Sequence, residues 1–555
     1  MRAFNISKPM RRWLIISLMI STFYIALIGG MPSLAPFTPH DDTLFQKLAF
    51  KIANGDWLGR AYNSQVLSKG AFHSIQMSLA YRLGIPIGLW FHTLYLISAL
   101  LFCTLALPRL SIWLRSFCYL SFLFDPWQFT SFGIRLLREE TYIPFLLFAI
   151  TFFISALDSI KKKTQDSRQP SHRSTVTYLL LLLSGASFGL LLITREARIF
   201  VYLLIILASF LCIFNYINVH GLHRRTMLKA LSFVFAFILL SPTPLLLTSW
   251  QNNSSYGLFI SNEFEDGEFK KFYQDLMSIK PIDLKDKPWV PVQGQTITKL
   301  QEATAGKALS SVLSDLNSGW KKFGCEQHSE ACGEYGGGWL MWALRDAMFM
   351  QPSIKSPQSF QSLAQQLRRD IRSVCLTKSK EFDCTSRALG YLPHPSRWGH
   401  GRSNYALLSK DFAIKIKGAF LPSLISYPPA FFDESATQSK WASRIGVYTA
   451  HSPEEQWWWN KRVRNLFCIS EIIRLALFAS CGFLLLVNWR NLNKIIEDPA
   501  IVFIVFSFVL QVLILSLIEL TSFHAGGYLI LVSPILTIAL CRIIVTLQAP
   551  HSESL

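Results

Sequence analysis

The chain has 555 residues, of which 51% are hydrophobic and 14% aromatic. Only 16% are charged, against roughly 25% in soluble domains, which excludes an ordinary soluble protein and indicates a polytopic membrane protein. The net charge of +19 does not mark a nucleic-acid binder: residues 250–462 hold 26 Lys+Arg against 21 Asp+Glu, so most of the excess sits in short loops between apolar segments, where it sets topology.

About 20 apolar residues suffice to cross a bilayer. Ten stretches qualify, at roughly 13–30, 87–107, 110–131, 140–158, 176–194, 197–217, 229–249, 466–489, 499–520 and 525–546; the third is interrupted by Asp125 and Pro126. The first follows Arg2, Lys8, Arg11 and Arg12, which places the N-terminus in the cytoplasm. Its apolar core is longer than that of a cleaved leader and no small-x-small site follows, so it reads as a retained anchor. Alternating the spans then gathers the basic short loops, among them Lys161-Lys162-Lys163 and Arg224-Arg225, on one side. The opposite side receives 31–86, the turns at 133–140 and 194–198, the turn at 519–527, and the long segment 250–462. The C-terminus returns to the cytoplasm.

The expected fold class is therefore an all-α polytopic membrane protein of about ten transmembrane helices, with an inserted, mainly α extracytoplasmic soluble domain. Its parts are an N-terminal anchor helix (1–30), an extracytoplasmic first loop with amphipathic helices (31–86), membrane helices two to seven (87–249), the soluble domain (250–462), and helices eight to ten with a cytoplasmic tail (463–555).

The first loop opens with Pro39-His40-Asp41-Asp42. Leu44, Phe45, Leu48 and Ile52 follow at helical spacing, the pattern of a helix lying in the headgroup plane. A carboxylate there can serve as general base toward an acceptor hydroxyl, and with His40 it can hold a divalent cation. The plainer alternative is that Asp42 caps the helix starting at Thr43.

Arg135, Arg138, Glu139 and Glu140 lie at the outer end of spans three and four, and Arg195, Glu196 and Arg198 between spans five and six. Basic residues on this side run against the inside preference. Their forks suit bidentate contact with a lipid-linked phosphate; the competing account is local pairing, Arg138 with Glu139 or Glu140 and Arg195 with Glu196. Glu471 and Arg474 stand three residues apart on one face of the eighth span, where mutual pairing is expected. Glu519 and His524 lie at the outer end of the ninth and can join an outer site.

In the soluble segment, Leu363 to Val374 reads as an amphipathic helix, and Gly336-Gly337-Gly338 leads into a helix beginning at Trp339. The triplet lacks the pattern of a phosphate loop. Trp457-Trp458-Trp459 resembles an interfacial belt. Six of the ten cysteines fall in spans; Cys325, Cys332, Cys375 and Cys384 fall outside. Their close spacings favour Cys325–Cys332 and Cys375–Cys384 disulfides in an oxidising compartment, with a four-thiolate metal site as the rival.

This layout resembles the GT-C superfamily of polytopic glycosyltransferases, which use polyprenyl-phosphate-linked sugars. Gly55-Asp56-Trp57-Leu58-Gly59 through Lys69-Gly70, and GGGWLMWALRDA from Gly336, are similar to a bacterial branch of such proteins. The resemblance implies sugar transfer to a glycolipid, glycan or protein acceptor at the outer face of a bacterial inner membrane. Asp41 or Asp42 would be catalytic, and Arg135, Arg138, Arg195 and Arg198 would bind the donor phosphate, supported by His40, Glu139, Glu140 and Glu196. Membrane lipids are the expected surroundings, and no nucleic acid is implied. One departure is that three spans follow the soluble domain, whereas many members carry it at the C-terminus. An envelope polymerase or ligase keeps the lipid-linked donor but moves the decisive residues into 250–462. A transporter or scaffold needs polar residues along the spans, and these are nearly free of charge.

Overall fold

The computed structural model describes residues 7–31, 33–34, 41–162, 170–196, 198–279, 289–327, 329–378, 381–382, 384, 402–427, 453–521 and 526–548; His40 and His524 lie outside them. The chain runs through α1 (Lys8–Ile28), α2 (Asp42–Ala53), α3 (Phe72–Leu83), α4 (Ile87–Leu105), α5 (Ile112–Leu123), α6 (Glu139–Lys162), α7 (Pro170–Leu192), α8 (Arg198–His220), α9 (Arg224–Leu240) and α10 (Thr243–Tyr256). Next come α11 (Gly267–Met277), α12 (Gly294–Ala303), α13 (Ala308–Ser314), α14 (Gly319–Gln327), α15 (Trp339–Met350), α16 (Pro357–Thr377) and α17 (Arg402–Phe420). The last long helices are α18 (Pro453–Val487), α19 (Pro499–Thr521) and α20 (Ser533–Gln548). No β-strand forms among the described residues, and nine helical segments among them are long and apolar enough to cross a membrane. The protein is an all-α, polytopic membrane protein.

The third expected span is the exception. Its helix, α5, has only 12 residues, about 18 Å of rise against a hydrocarbon core near 30 Å. Asp125 and Pro126 end it: the Asp125 carboxylate accepts from the Trp127 amide at 3.1 Å, and a short 3-10 turn over Pro126–Phe129 follows. Beyond that turn the chain runs as an irregular strip, in which an isolated bridge pairs Leu34 with Arg135. Leu34 N donates to Ile134 O at 2.8 Å and Leu136 N to Leu34 O at 3.0 Å. Backbone without helical bonds is tolerated there because another protein segment supplies the partners. This strip carries Arg135 and Arg138 to the same end as the first loop.

Two large apolar cores result. One runs through the membrane helices. The other joins Leu44, Leu48, Leu58, Val66 and Leu67 of the first loop to Phe264, Phe269, Trp342, Phe360 and Leu367 of the segment 250–462, called the outer domain after the side on which the loop charges are expected to place it. The reading of α2 as a surface helix is therefore corrected. Leu44 and Leu48 face the outer domain, while Phe45 and Ala49 pack with Met77, Phe91 and Leu136. Periodicity reports that a helix has an apolar stripe, not whether lipid or protein covers it.

A buried ion pair fastens the two parts. Arg345 and Glu263, both 0% exposed at the side chain, meet at 2.6 Å, and Arg345 also donates to the carbonyls of Ser64 (2.6 Å) and Val66 (2.7 Å). α16 buries Leu363, Leu367, Ile371 and Val374 as expected. At the start of α15 a Cβ on Gly336 would sit 2.9 Å from the Cα of Gly324, a close approach that requires glycine. Trp457 and Trp458 are exposed near the start of α18. Cys325–Cys332 and Cys375–Cys384 are disulfide-bonded, which removes the four-thiolate metal site.

Charges inside the bundle pair differently from expectation. Arg474 does not turn to Glu471, whose Oε1 instead accepts from the Ser423 amide at 3.1 Å. It meets Asp125, 349 residues away, at 2.6 Å. Glu519 pairs with Lys415 of α17 at 3.2 Å, and Trp127 Nε1 donates to Gly418 O at 2.9 Å, so α17 rests on the membrane bundle.

Candidate functional site

The first loop, the strip before α6 and the turn between α7 and α8 converge beneath the outer domain. Asp42 is the first residue of α2 and fully buried; Arg135 Nη2 reaches its Oδ2 at 2.7 Å. Asp41 occupies the N-cap position, yet neither it nor Asp42 forms a side-chain cap. The capping account of the acidic pair is thus set aside. The Asp41 side chain is half-buried and makes no hydrogen bond or ion pair among the described residues, although its charge acts on Lys69, Arg135 and Arg138.

The two arginine-bearing turns interlock. Arg138 pairs with Glu196 and Arg195 with Glu139 at 2.6 Å, so each guanidinium crosses to the other turn's acid and leaves the nearby acid expected as its partner. Aromatic faces back them: Arg138 lies over Phe45 at 5.5 Å and Arg195 over Tyr528 at 4.3 Å, contacts that stabilise a cation without consuming donors. Glu140, the second residue of α6, lies beside them and lines a cavity with His92, Gln128 and Asp125.

Arg198 stands apart. Its fork takes Asp266 at 2.8 and 3.2 Å and also bonds Ser261, joining α8 to the outer domain and leaving little for a ligand.

Lys69 joins the cluster without having been singled out as a phosphate ligand. It is 9% exposed, its Nζ lies 3.6 Å from Glu196 Oε1, and it faces the rings of Phe264 and Trp342 at 5.6 Å each. Among the described residues its ammonium makes no hydrogen bond. Burial pulls its pKa below the ordinary lysine value, while Glu196 works the other way. Burial likewise raises the Glu196 carboxyl, but Arg138 and Lys69 overcome it and hold the pKa at about 2. Arg138 stays protonated against its burial because Glu196 and Glu139 flank it. A lone lysine in a polar loop carries no periodic signal; its place beside Gly70 was the one hint in the sequence.

The arrangement offers an uncommitted carboxylate, a buried ammonium with open donors, and three guanidinium groups fixed around them. That can orient a hydroxyl and stabilise an anionic leaving group. Among the described residues no three His, Cys, Asp or Glu side chains converge as metal ligands.

No family model matches the chain, and no curated protein does. Among solved structures, ArnT from Cupriavidus metallidurans in the apo state aligns with a TM-score of 0.32 and 12% identity, over 96% of this chain and 77% of that one. The same protein bound to undecaprenyl phosphate aligns with a TM-score of 0.30 and 11% identity, over 85% and 80%. The functional reading is carried by the geometry of the site.

Proposed function

We propose that the protein is a membrane glycosyltransferase that moves a sugar from a polyprenyl-phosphate donor to an acceptor hydroxyl at the outer face of a bacterial inner membrane. Asp41 takes the hydroxyl proton, and the acceptor oxygen attacks the anomeric carbon from the opposite side. The bond from that carbon to the phosphate oxygen breaks, its electron pair leaves with the oxygen, and polyprenyl phosphate is released. Lys69 and Arg138 hold the phosphate and offset the charge it gains. Arg135 keeps Asp42 neutralised and fixes the start of α2; Arg195 and Glu139 brace the neighbouring turn.

The observation that carries this reading is the juxtaposition of the half-buried Asp41 carboxylate with the buried Lys69 ammonium, neither of which makes a side-chain hydrogen bond among the described residues. Taking a charge out of water costs several kcal/mol unless it is paired and hydrogen-bonded, so a buried ammonium held by a 3.6 Å ion pair and two ring faces, beside a carboxylate with no hydrogen bond among the described residues, suits a polar ligand.

Native mass spectrometry of the protein from its membrane tests the donor. Retained polyprenyl-phosphate sugar is expected in the wild type, with occupancy reduced about tenfold in Lys69→Met, the scale of one charge-assisted contact. Equal retention of uncharged polyprenol would count against the reading.

A further inference from the structure

We propose that Glu196 sets the charge selectivity of this site, acting as a resident counter-anion that admits a singly charged lipid phosphodiester and disfavours a doubly charged lipid monophosphate. This rests on the donor reading given above and deepens it.

Glu196 bridges two cations. One oxygen takes Arg138, and the other lies 3.6 Å from Lys69 without a hydrogen bond of its own. The residues leading into it are held: the Thr194 hydroxyl donates to Leu190 O at 2.6 Å, and a Cβ on Gly70 would collide with the Ile193 carbonyl. The loop carrying Lys69 and the turn carrying Glu196 are therefore pressed together at a position that only glycine permits.

Among the described residues, the four cations of the site, Lys69 and Arg135, Arg138 and Arg195, are matched by Asp41, Asp42, Glu139 and Glu196, with the Glu140 carboxyl beside them. Nearby, Arg198 is spent on Asp266, and Lys270 lies 3.5 Å from Glu265. No surplus positive charge remains. A monoanion can share Lys69, whose three N–H donors are open. A second negative charge meets Glu196 uncompensated, a like-charge contact in a partly dehydrated site. Sugar transfer converts the diester donor into a monoester product with one more ionisable oxygen, so Glu196 favours departure of the product over the donor.

The test compares undecaprenyl phosphate with its methyl ester at pH 8, with undecaprenol as the uncharged control, binding to the full-length protein in lipid nanodiscs. The wild type should bind the methyl ester at least as tightly as the monoester. Glu196→Gln should move the ratio toward the monoester by about tenfold, the order expected for removing one like charge at this range. Should Glu196→Gln fail to fold, Lys69→Met tests the same balance from the other side and should move the ratio about tenfold toward the methyl ester. A wild type that strongly prefers the monoester, or a ratio unmoved by the substitution that folds, overturns the assignment. Binding of both phosphates no tighter than undecaprenol overturns the donor reading, and this inference with it.

Discussion

Two of the charged clusters in the membrane part of this protein are built to opposite ends. In the interior, Asp125 is surrounded: Arg474 meets it at 2.6 Å, the Ser533 hydroxyl donates to it at 2.9 Å, and Arg474 also reaches Ser533 at 2.9 Å. Asp125, Arg474 and Ser533 are all buried, and the triangle ties the break after α5 to α18 and to the start of α20. At the end where the first loop lies, the arginines are paired just as closely, but the side chains of Asp41 and Lys69 make no hydrogen bond among the described residues. A closed cluster in low dielectric is a fastening; an open one beside loops is a place for a ligand.

That contrast fixes what each substitution should do. Arg474→Met strands the Asp125 carboxylate and should cost about 3–5 kcal/mol, read as a large fall in the thermal midpoint in detergent. The double variant Asp125→Asn with Arg474→Met should recover most of it, since removing both charges abolishes the uncompensated one. Arg345→Met, which strands Glu263, should behave like the first; a small effect at either position would break the distinction between fastening and site.

Glu196 belongs to both categories and sharpens the comparison. Its pKa of about 2 lies below the ordinary 4.5, so the folded state favours its ionised form. The stability it contributes, on the order of 3 kcal/mol, is present above pH 4.5 and is lost as pH falls toward 2. Glu196→Gln should flatten that part of the acid limb in denaturation monitored by tryptophan fluorescence. A smaller effect is expected in the outer domain: Cys325→Ser with Cys332→Ser opens a loop of sequence separation 7, worth about 2 kcal/mol of chain entropy, and should lower the midpoint without changing binding of lipid phosphate.

Much of the fold was legible because hydropathy and loop charge act locally. Nine spans, both disulfides and α16 follow from patterns within one segment. The failures share a cause, which is dependence on distant partners. Asp125 and Pro126 were visible, yet the strip they create depends on Leu34 supplying its hydrogen bonds. The apolar stripe of α2 was visible, but not the Phe264–Trp342 side of the core that covers one flank of it. Arg138 and Arg195 were singled out together with the acids around them, while the crossing of the pairs requires two turns 58 residues apart to dock. Lys69 went unremarked as a ligand because nothing in its local sequence separates it from a solvated lysine; only the close approach of Gly70 to Ile193 brings it in.

The most direct measurement compares sugar transfer by Asp41→Asn and Asp42→Asn, through profiling of membrane glycolipids and polysaccharides in cells expressing each variant at the wild-type level. The account predicts that Asp41→Asn keeps its thermal midpoint and loses about 10²–10⁴-fold in transfer, the scale of a general base, whereas Asp42→Asn loses stability first because Arg135 is stranded. Unchanged glycans in a well-expressed Asp41→Asn protein would contradict the assignment of this cluster as the transfer site.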